Sequence, residues 1–296
     1  MDERKKIIID TDNGDDIDDL IALYFALHLK EKFEIVGIIC SFLNTPLRKK
    51  QVEFALKLHQ ISGIPVFAGC RKPLLGMHNT DINQSYCQYF DFLGSGEKDE
   101  EEEAVDFLIS KARELKNKLT IVEVAPQLTL AKAIKKDKNA FKDTPIVMMA
   151  ANFNQNEREW NIECDAISSQ VVLESGLNLT YVGHDITIQT TLEDPEVEGV
   201  LLQKYDDERR NFLSMSANAW VKASQRHIVL HDPLALLTVA DKDLCTFERK
   251  RISMYIEGNK AFTVVDNKSP YIANVATSVD LKKLYNYLFD LMKGEN

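Results

Sequence analysis

Six aspartates, Asp10, Asp12, Asp15, Asp16, Asp18 and Asp19, fall within ten residues of this chain. Two ionised carboxylates ~5 Å apart at an effective dielectric of ~20 repel by about 3 kcal/mol. A fold that gathers them requires a cation, raised pKa values, or side chains turned into water. The apolar run Ile7-Ile8-Ile9 precedes the cluster, Gly14 interrupts it, and Leu20, Leu23, Tyr24 and Leu27 follow at helical spacing. That order reads as strand, tight turn and helix. The carboxylates therefore stand at the carboxyl end of a strand, where open α/β sheets place their ligand sites.

Position then sorts them. Asp10 and Asp12 lie two apart at a strand end and share a face. Asp18 and Asp19 open the helix, where negative charge is favourable. Asp12 and Asp19 can meet across the Gly14 turn and share one metal. An all-oxygen donor set suits Ca²⁺ best and Mg²⁺ second, whereas Zn²⁺ would want Cys or His. The spacing excludes an EF-hand loop, because its sixth position from Asp10 is Asp15 and its twelfth is Ile21. Asp10-Thr11-Asp12 also opens like the D-x-D of Mg²⁺-dependent phosphatases, but the loop offers only acids and no cation for a transferring phosphoryl group.

Two distant segments carry complementary chemistry. His231-Asp232-Pro233 reads as a helix mouth with Pro at the first helical position. Glu159-Trp160-Asn161, followed by Asp165, sets an acid, an aromatic and an amide at a loop-to-helix junction. Such a trio suits a polyol, whose hydroxyls bond Glu and Asn and whose face packs on Trp.

These groups need a rigid frame. Short apolar runs at residues 6–10, 34–40, 65–68, 119–124, 145–149 and 179–182 read as strands. Amphipathic stretches at 18–29, 46–61, 100–115, 129–135 and 165–174 read as helices between them. That alternation implies a mostly parallel sheet covered on both faces. Residues 194–240 read as largely helical, 246–255 and 261–265 as paired strands, and 278–292 as a closing helix. No linker interrupts residues 1–296, so one domain is expected. The acidic run Glu100 to Glu103 reads as a solvated helix start.

The formal charge of −10 argues against a nucleic-acid binder. No run of 18 apolar residues suggests a membrane span. The first residues lack a signal-peptide core, and five scattered cysteines fit reduced thiols, so a cytoplasmic protein is expected.

The three segments together resemble the nucleoside hydrolases, the inosine–uridine-preferring ribohydrolases in particular. Asp10, Thr11, Asp12, Gly14, Asp16, Asp18, Asp19, Ala22 and Leu23 match the family's D-T-D-x-G-x-D-x-D-D-x-x-A-L. Glu159 to Asp165 matches E-[FW]-N-I-x-x-D, and His231 to Ala235 matches H-D-P-L-A. Asn44-Thr45, Ile64 to Gly69 and Val124 to Pro126 are weaker echoes, so the likeness covers nearly the whole chain.

The resemblance implies a Rossmann-like α/β domain that hydrolyses the N-glycosidic bond of ribonucleosides with a bound Ca²⁺. It implies that Asp12 touches the metal and is general base on its water, and that Asp19, Asp232 and the Val124 carbonyl are further ligands. Asp18 would bond the ribose 2′-hydroxyl. Asn44, Glu159 and Asn161 would hold other ribose hydroxyls, with Trp160 packing beside them. Asn152 or Asn154 would reach the 5′-hydroxyl, and His231 would lie near the leaving base, which a His with a pKa near neutrality can protonate. Asp10 and Asp16 would support the loop, while Asp15 would be a solvated turn residue. A homodimer or tetramer and a role in purine or pyrimidine salvage are the family's usual setting. A catalytically silent ribosyl-binding protein on the same fold is the alternative.

Departures gather on the base side. Ala150-Ala151 stand where the family often has a Gly pair, and Ala125 where it has Gly. Residues 77–81 lack the usual H-G-x-x-G run, which leaves His78 as a base-side candidate, while His184 reads as structural.

Overall fold

The computed structural model describes residues 4–74, 100–154, 157–257 and 260–293. Residues 77–81, His78 among them, lie outside that set. One nine-stranded sheet runs through the described chain in the order β3-β2-β1-β4-β5-β6-β9-β7-β8. Its strands are β1 (Lys5–Thr11), β2 (Phe33–Cys40), β3 (Val66–Ala68), β4 (Leu119–Glu123), β5 (Ile146–Met149), β6 (Leu179–Val182), β7 (Cys245–Glu257), β8 (Lys260–Val265) and β9 (Ile272–Val279). β1 pairs in parallel with β2 on one side and β4 on the other. The chain direction across the sheet reverses there, and the crevice above such a switch point is where ligands bind. The run of six strands from β3 to β6 is parallel, β9 extends it, and β7 and β8 close it antiparallel.

Among the described residues eleven α-helices flank the sheet: α1 (Asp18–His28), α2 (Thr45–Leu58), α3 (Glu101–Leu115), α4 (Leu128–Asp137), α5 (Trp160–Cys164), α6 (Ala166–Leu173), α7 (His184–Thr187), α8 (Pro195–Leu202), α9 (Glu208–Ser224), α10 (His231–Ala240) and α11 (Leu281–Lys293). Strand periodicity divides the core between two faces. Ile7 and Ile9 of β1 join the side of α1 and α10, while Ile8 joins the side of α3, α4 and α6.

Two expectations are corrected. Residues 278 and 279 end β9 rather than opening a helix, and α11 starts at Leu281. β9 carries small Ala, Ser and Thr side chains that give weak hydrophobic contrast, and its pairing with β6 and β7 supplies what local sequence does not. Glu100 is buried rather than solvated: it accepts from the Ala68 N–H at 3.1 Å and from Lys49 Nζ at 2.6 Å, tying β3 to α3.

Gly69 follows β3 where the chain passes close to its neighbours. A Cβ there would lie 2.6 Å from Thr129 Oγ1 and 2.8 Å from Ile39 Cγ2. Thr129 Oγ1 also bonds Ser41 Oγ at 2.6 Å and the Cys70 N–H at 3.0 Å, so it has little room to yield. Gly69→Ala is expected to cost ~1–3 kcal/mol, read as a lowered denaturation midpoint with an unchanged slope. An unchanged midpoint would refute the close packing argued here.

Candidate active site

β1 delivers Thr11 at its end, and the loop after it turns at Gly14, whose φ of 119° is a region that side chains avoid. The chain then enters α1 with Asp18 and Asp19 in its first turn. α10 packs against α1 and brings Asp232 in its own first turn. The Asp232 backbone N–H donates to Asp18 Oδ2 at 3.2 Å. Two helix N-termini thus aim at one point, and their partial positive charge favours anions there.

At that point Asp18, Asp19 and Asp232, all buried, each offer a carboxylate oxygen within 4.8 Å of the others. Burial pushes all three pKa values well above the ordinary range, and neighbouring carboxylates push them further. Thr11 donates its hydroxyl to Asp19. Asp12 is buried beside the trio and is raised in the same way, first by burial and then by the charge of Asp19. The trio therefore includes Asp18, expected on the sugar, while Asp12 stands next to it. Three buried carboxylates with only oxygen donors fit a hard divalent cation, whose charge would remove their mutual repulsion.

Behind them, the β1–β4 register sets Asp10 beside Glu123. Both are fully enclosed, and burial raises both, with a further push from the charge of Asp12 on each and from Asp10 on Glu123. Asp16 sits at the rim, its Oδ1 accepting from the Ile17 N–H at 2.7 Å.

The loop is not made of acids alone. Arg48 of α2, 1% exposed, threads its guanidinium beneath it. It pairs with Asp15 Oδ2 at 2.7 Å and donates to the carbonyls of Asp12, Asn13 (3.2 Å) and Phe42 (2.8 Å). Asp15 is therefore a buried ion-pair partner rather than a solvated turn residue. Arg48 was missed because nothing in its local sequence marks a helix cation as buried; its partner lies 33 residues away. Its donors are committed to the loop, so it does not furnish the free cation that a phosphoryl site wants.

On the other side, β5 ends in Ala150 and Ala151. Ala151 takes a φ of 76°, which Gly tolerates better, so the missing Gly pair leaves a strained residue. Glu159 caps α5, accepting from the N–H groups of Asn161 (2.8 Å), Ile162 (3.0 Å) and Ala151 (3.1 Å). Burial nonetheless lifts its pKa to about 7. Asn161 spends both amide hydrogens on the carbonyls of Val124 (3.1 Å) and Met149 (3.0 Å). Its Oδ1 remains as an acceptor, and Val124 keeps a second lone pair.

Asn152 is buried and bonded by its amide to Glu157 at 3.1 Å and to His184 Nδ1 at 3.3 Å. Asn154 is exposed and donates its N–H to Asn152 Oδ1 at 3.1 Å. Trp160 is 47% exposed, and it shares with Asn152 and His184 the wall of a cleft of about 470 Å³. Asn44 precedes α2 at the end of the β2 loop, and its side chain makes no capping bond there.

His231 opens α10. Its Nδ1 meets Thr187 Oγ1 at 2.6 Å, and its ring stacks on His184 at 5.3 Å between centroids. Burial, then the charges of His184 and Arg226, drive its pKa down to about 3. The expectation of a near-neutral pKa is therefore corrected: the imidazole is neutral at physiological pH. Thr187, His184 and Arg226, which lies 3.7 Å from Asp16 and over the Trp220 ring, surround this residue. No sequence spacing signals that gathering, because α7, α10 and the loop after α9 build it together.

Residues 7–286 match the family model for inosine-uridine preferring nucleoside hydrolases. The chain is 29% identical to uridine nucleosidase 1 of Arabidopsis thaliana, covering 97% of this chain and 92% of that one. It is 24% identical to the inosine-uridine preferring nucleoside hydrolase of Crithidia fasciculata, covering 98% of each. Among solved structures, the plant nucleoside hydrolase PpNRh1 shares the fold with a TM-score of 0.84 at 24% identity, over 99% of this chain and 100% of that one. A purine-preferring ribonucleoside hydrolase from Gardnerella vaginalis shares it with a TM-score of 0.82 at 24% identity, over 98% of each.

Proposed function

Since the chain belongs to the inosine-uridine preferring nucleoside hydrolase family, and is thus an N-ribosyl hydrolase, we propose that it cleaves ribonucleosides with Asp12 as general base beside a bound Ca²⁺. The observation that carries this reading is the buried convergence of Asp18, Asp19 and Asp232, with Asp12 adjoining it. Asp12, Asp19, Asp232 and the Val124 carbonyl would hold the cation. Asp18, which shares the same focus, takes the ribose 2′-hydroxyl. When bound, the cation fixes ribose hydroxyls and acidifies water.

The chain's own groups then act on the sugar. Breaking the C–N bond leaves an oxocarbenium-like ribosyl centre, which surrounding carboxylates stabilise. Asp12 accepts the proton of the attacking water. Asn161 Oδ1, Asn44 and Glu159 hold further hydroxyls, and Glu159 also caps α5, the helix that carries Asn161. Asn152, the buried member of its pair, faces the 5′-hydroxyl. His231 stands as a neutral imidazole beside the leaving base, oriented by the hydrogen bond between its Nδ1 and Thr187 Oγ1 at 2.6 Å.

The test is ribose release from uridine, cytidine, inosine and adenosine, before and after chelation. Activity should vanish on EGTA treatment and return with Ca²⁺ more fully than with Mg²⁺. Nucleoside binding in calorimetry without ribose release would instead support a silent binding protein.

Chelation should also destabilise the fold in a pH-dependent way. Without a cation the raised carboxyls keep their protons in the folded chain and release them on unfolding near pH ~4. Their contribution to stability is full below that value and is lost as pH rises through the raised folded values. The melting temperature of stripped protein should therefore fall as pH rises above the unfolded value of ~4, while Ca²⁺-loaded protein should change less. Parallel curves for the two forms would count against a cation in this cluster.

A further inference from the structure

We propose that the cleft at the amino-terminal edge of the sheet, opposite the aspartate cluster, binds a small phosphate monoester of nucleotide size. The cleft encloses about 530 Å³, within the range of small-molecule pockets. Its rim carries Arg4, Lys5, Lys6, Lys118 and Lys242, and among the described residues no Asp or Glu lines it. That composition stands against a chain with 46 acidic and 36 basic residues.

The fold makes this gathering. Lys5 and Lys6 begin β1, and Lys118 immediately precedes β4. The register that pairs Lys6 with Leu119 brings Lys5 alongside Lys118. Lys242 arrives from the loop just beyond α10. Glu34 pairs with Arg4 at 3.8 Å and with Lys6. Among the described residues, Lys5, Lys118 and Lys242 have no ion-pair partner. Three exposed cations converging without a counter-charge repel one another, and a phosphate dianion offsets that repulsion.

The floor adds the rest of the specificity. Thr120, Thr180 and Asn274 present hydroxyl and amide groups, with Asn274 Nδ2 donating to Thr180 Oγ1 at 3.3 Å. Val147 and Phe247 supply apolar surface beside them. Charged rim, polar floor and one aromatic wall fit a phosphate attached to a sugar and a flat ring. The formal charge of −10 opposes a long polyanion, so the ligand is a single small ester rather than RNA.

Adenosine 5′-monophosphate is the probe, titrated calorimetrically into the full chain at low salt, with adenosine and a short oligouridylate as comparators. The expected result is saturable one-to-one binding that weakens as NaCl is raised. Lys5→Glu combined with Lys118→Glu should weaken it about tenfold or more, and Lys242→Glu alone should also weaken it. Both variants should keep the melting temperature and the uridine-cleaving rate of the parent. No binding, binding that survives both charge reversals, displacement by adenosine, or tighter binding of the oligouridylate would overturn the proposal. Lack of uridine cleavage by the parent would count against the proposed function and leave the titration unaffected.

Discussion

Asp12→Ala is expected to lower kcat by about 10²–10⁴-fold, the contribution of a well-placed general base, while the cation-free protein melts at a higher temperature than the parent. The two effects have one origin. Asp12 is buried, and its charge is opposed by burial and by Asp19. Removing it relieves repulsion within the folded state and takes away the group that accepts the water proton. Sites that concentrate like charge for chemistry commonly show this opposition between stability and activity. Ribose release under saturating uridine gives kcat, and calorimetry of chelated protein gives the melting shift. The Asp12 carbonyl, which accepts from Arg48, is untouched by the substitution. A loss below about tenfold would remove Asp12 from the base role. Full activity of Asp12→Asn would do the same.

Arg48→Met should have the largest effect on stability. It leaves the buried Asp15 carboxylate and three backbone carbonyls without the guanidinium that now serves them. Breaking a buried ion pair by removing one partner costs ~3–5 kcal/mol. For a chain of this size that corresponds to a fall of roughly 10 °C in melting temperature. Combining Arg48→Met with Asp15→Leu should recover part of the loss, because the uncompensated charge is then gone. Ribose release should also fall in Arg48→Met, since the loop that presents Asp12 loses its anchor. Strict additivity of the two substitutions in a denaturation series would show that the pair is not coupled.

The outcome at the aspartate loop shows why some features were legible and others were not. The apolar run before Asp10 and the 3.6-residue spacing after Asp18 are local signals, and β1 and α1 follow from them within a residue. Parallel strands buried on both faces likewise announce themselves as continuous apolar runs. β9 did not, because its small residues become a strand only through pairing with β6 and β7. Glu100 read as solvated for a related reason: its partners, the Ala68 N–H and Lys49, are 32 and 51 residues away.

The amino-acid sequence by itself determined the alternating α/β architecture, the family, and which residues bear carboxylates and amides near helix starts. Those properties depend on short-range periodicity and on residue type. Tertiary structure alone decided that Asp18 joins Asp19 and Asp232 at one focus, that Asp15 is paired from beneath by Arg48, and that His231 is held neutral against Thr187 and His184. The physical reason is that burial and mutual charge set these states, and both arise only when elements far apart in the chain are packed together.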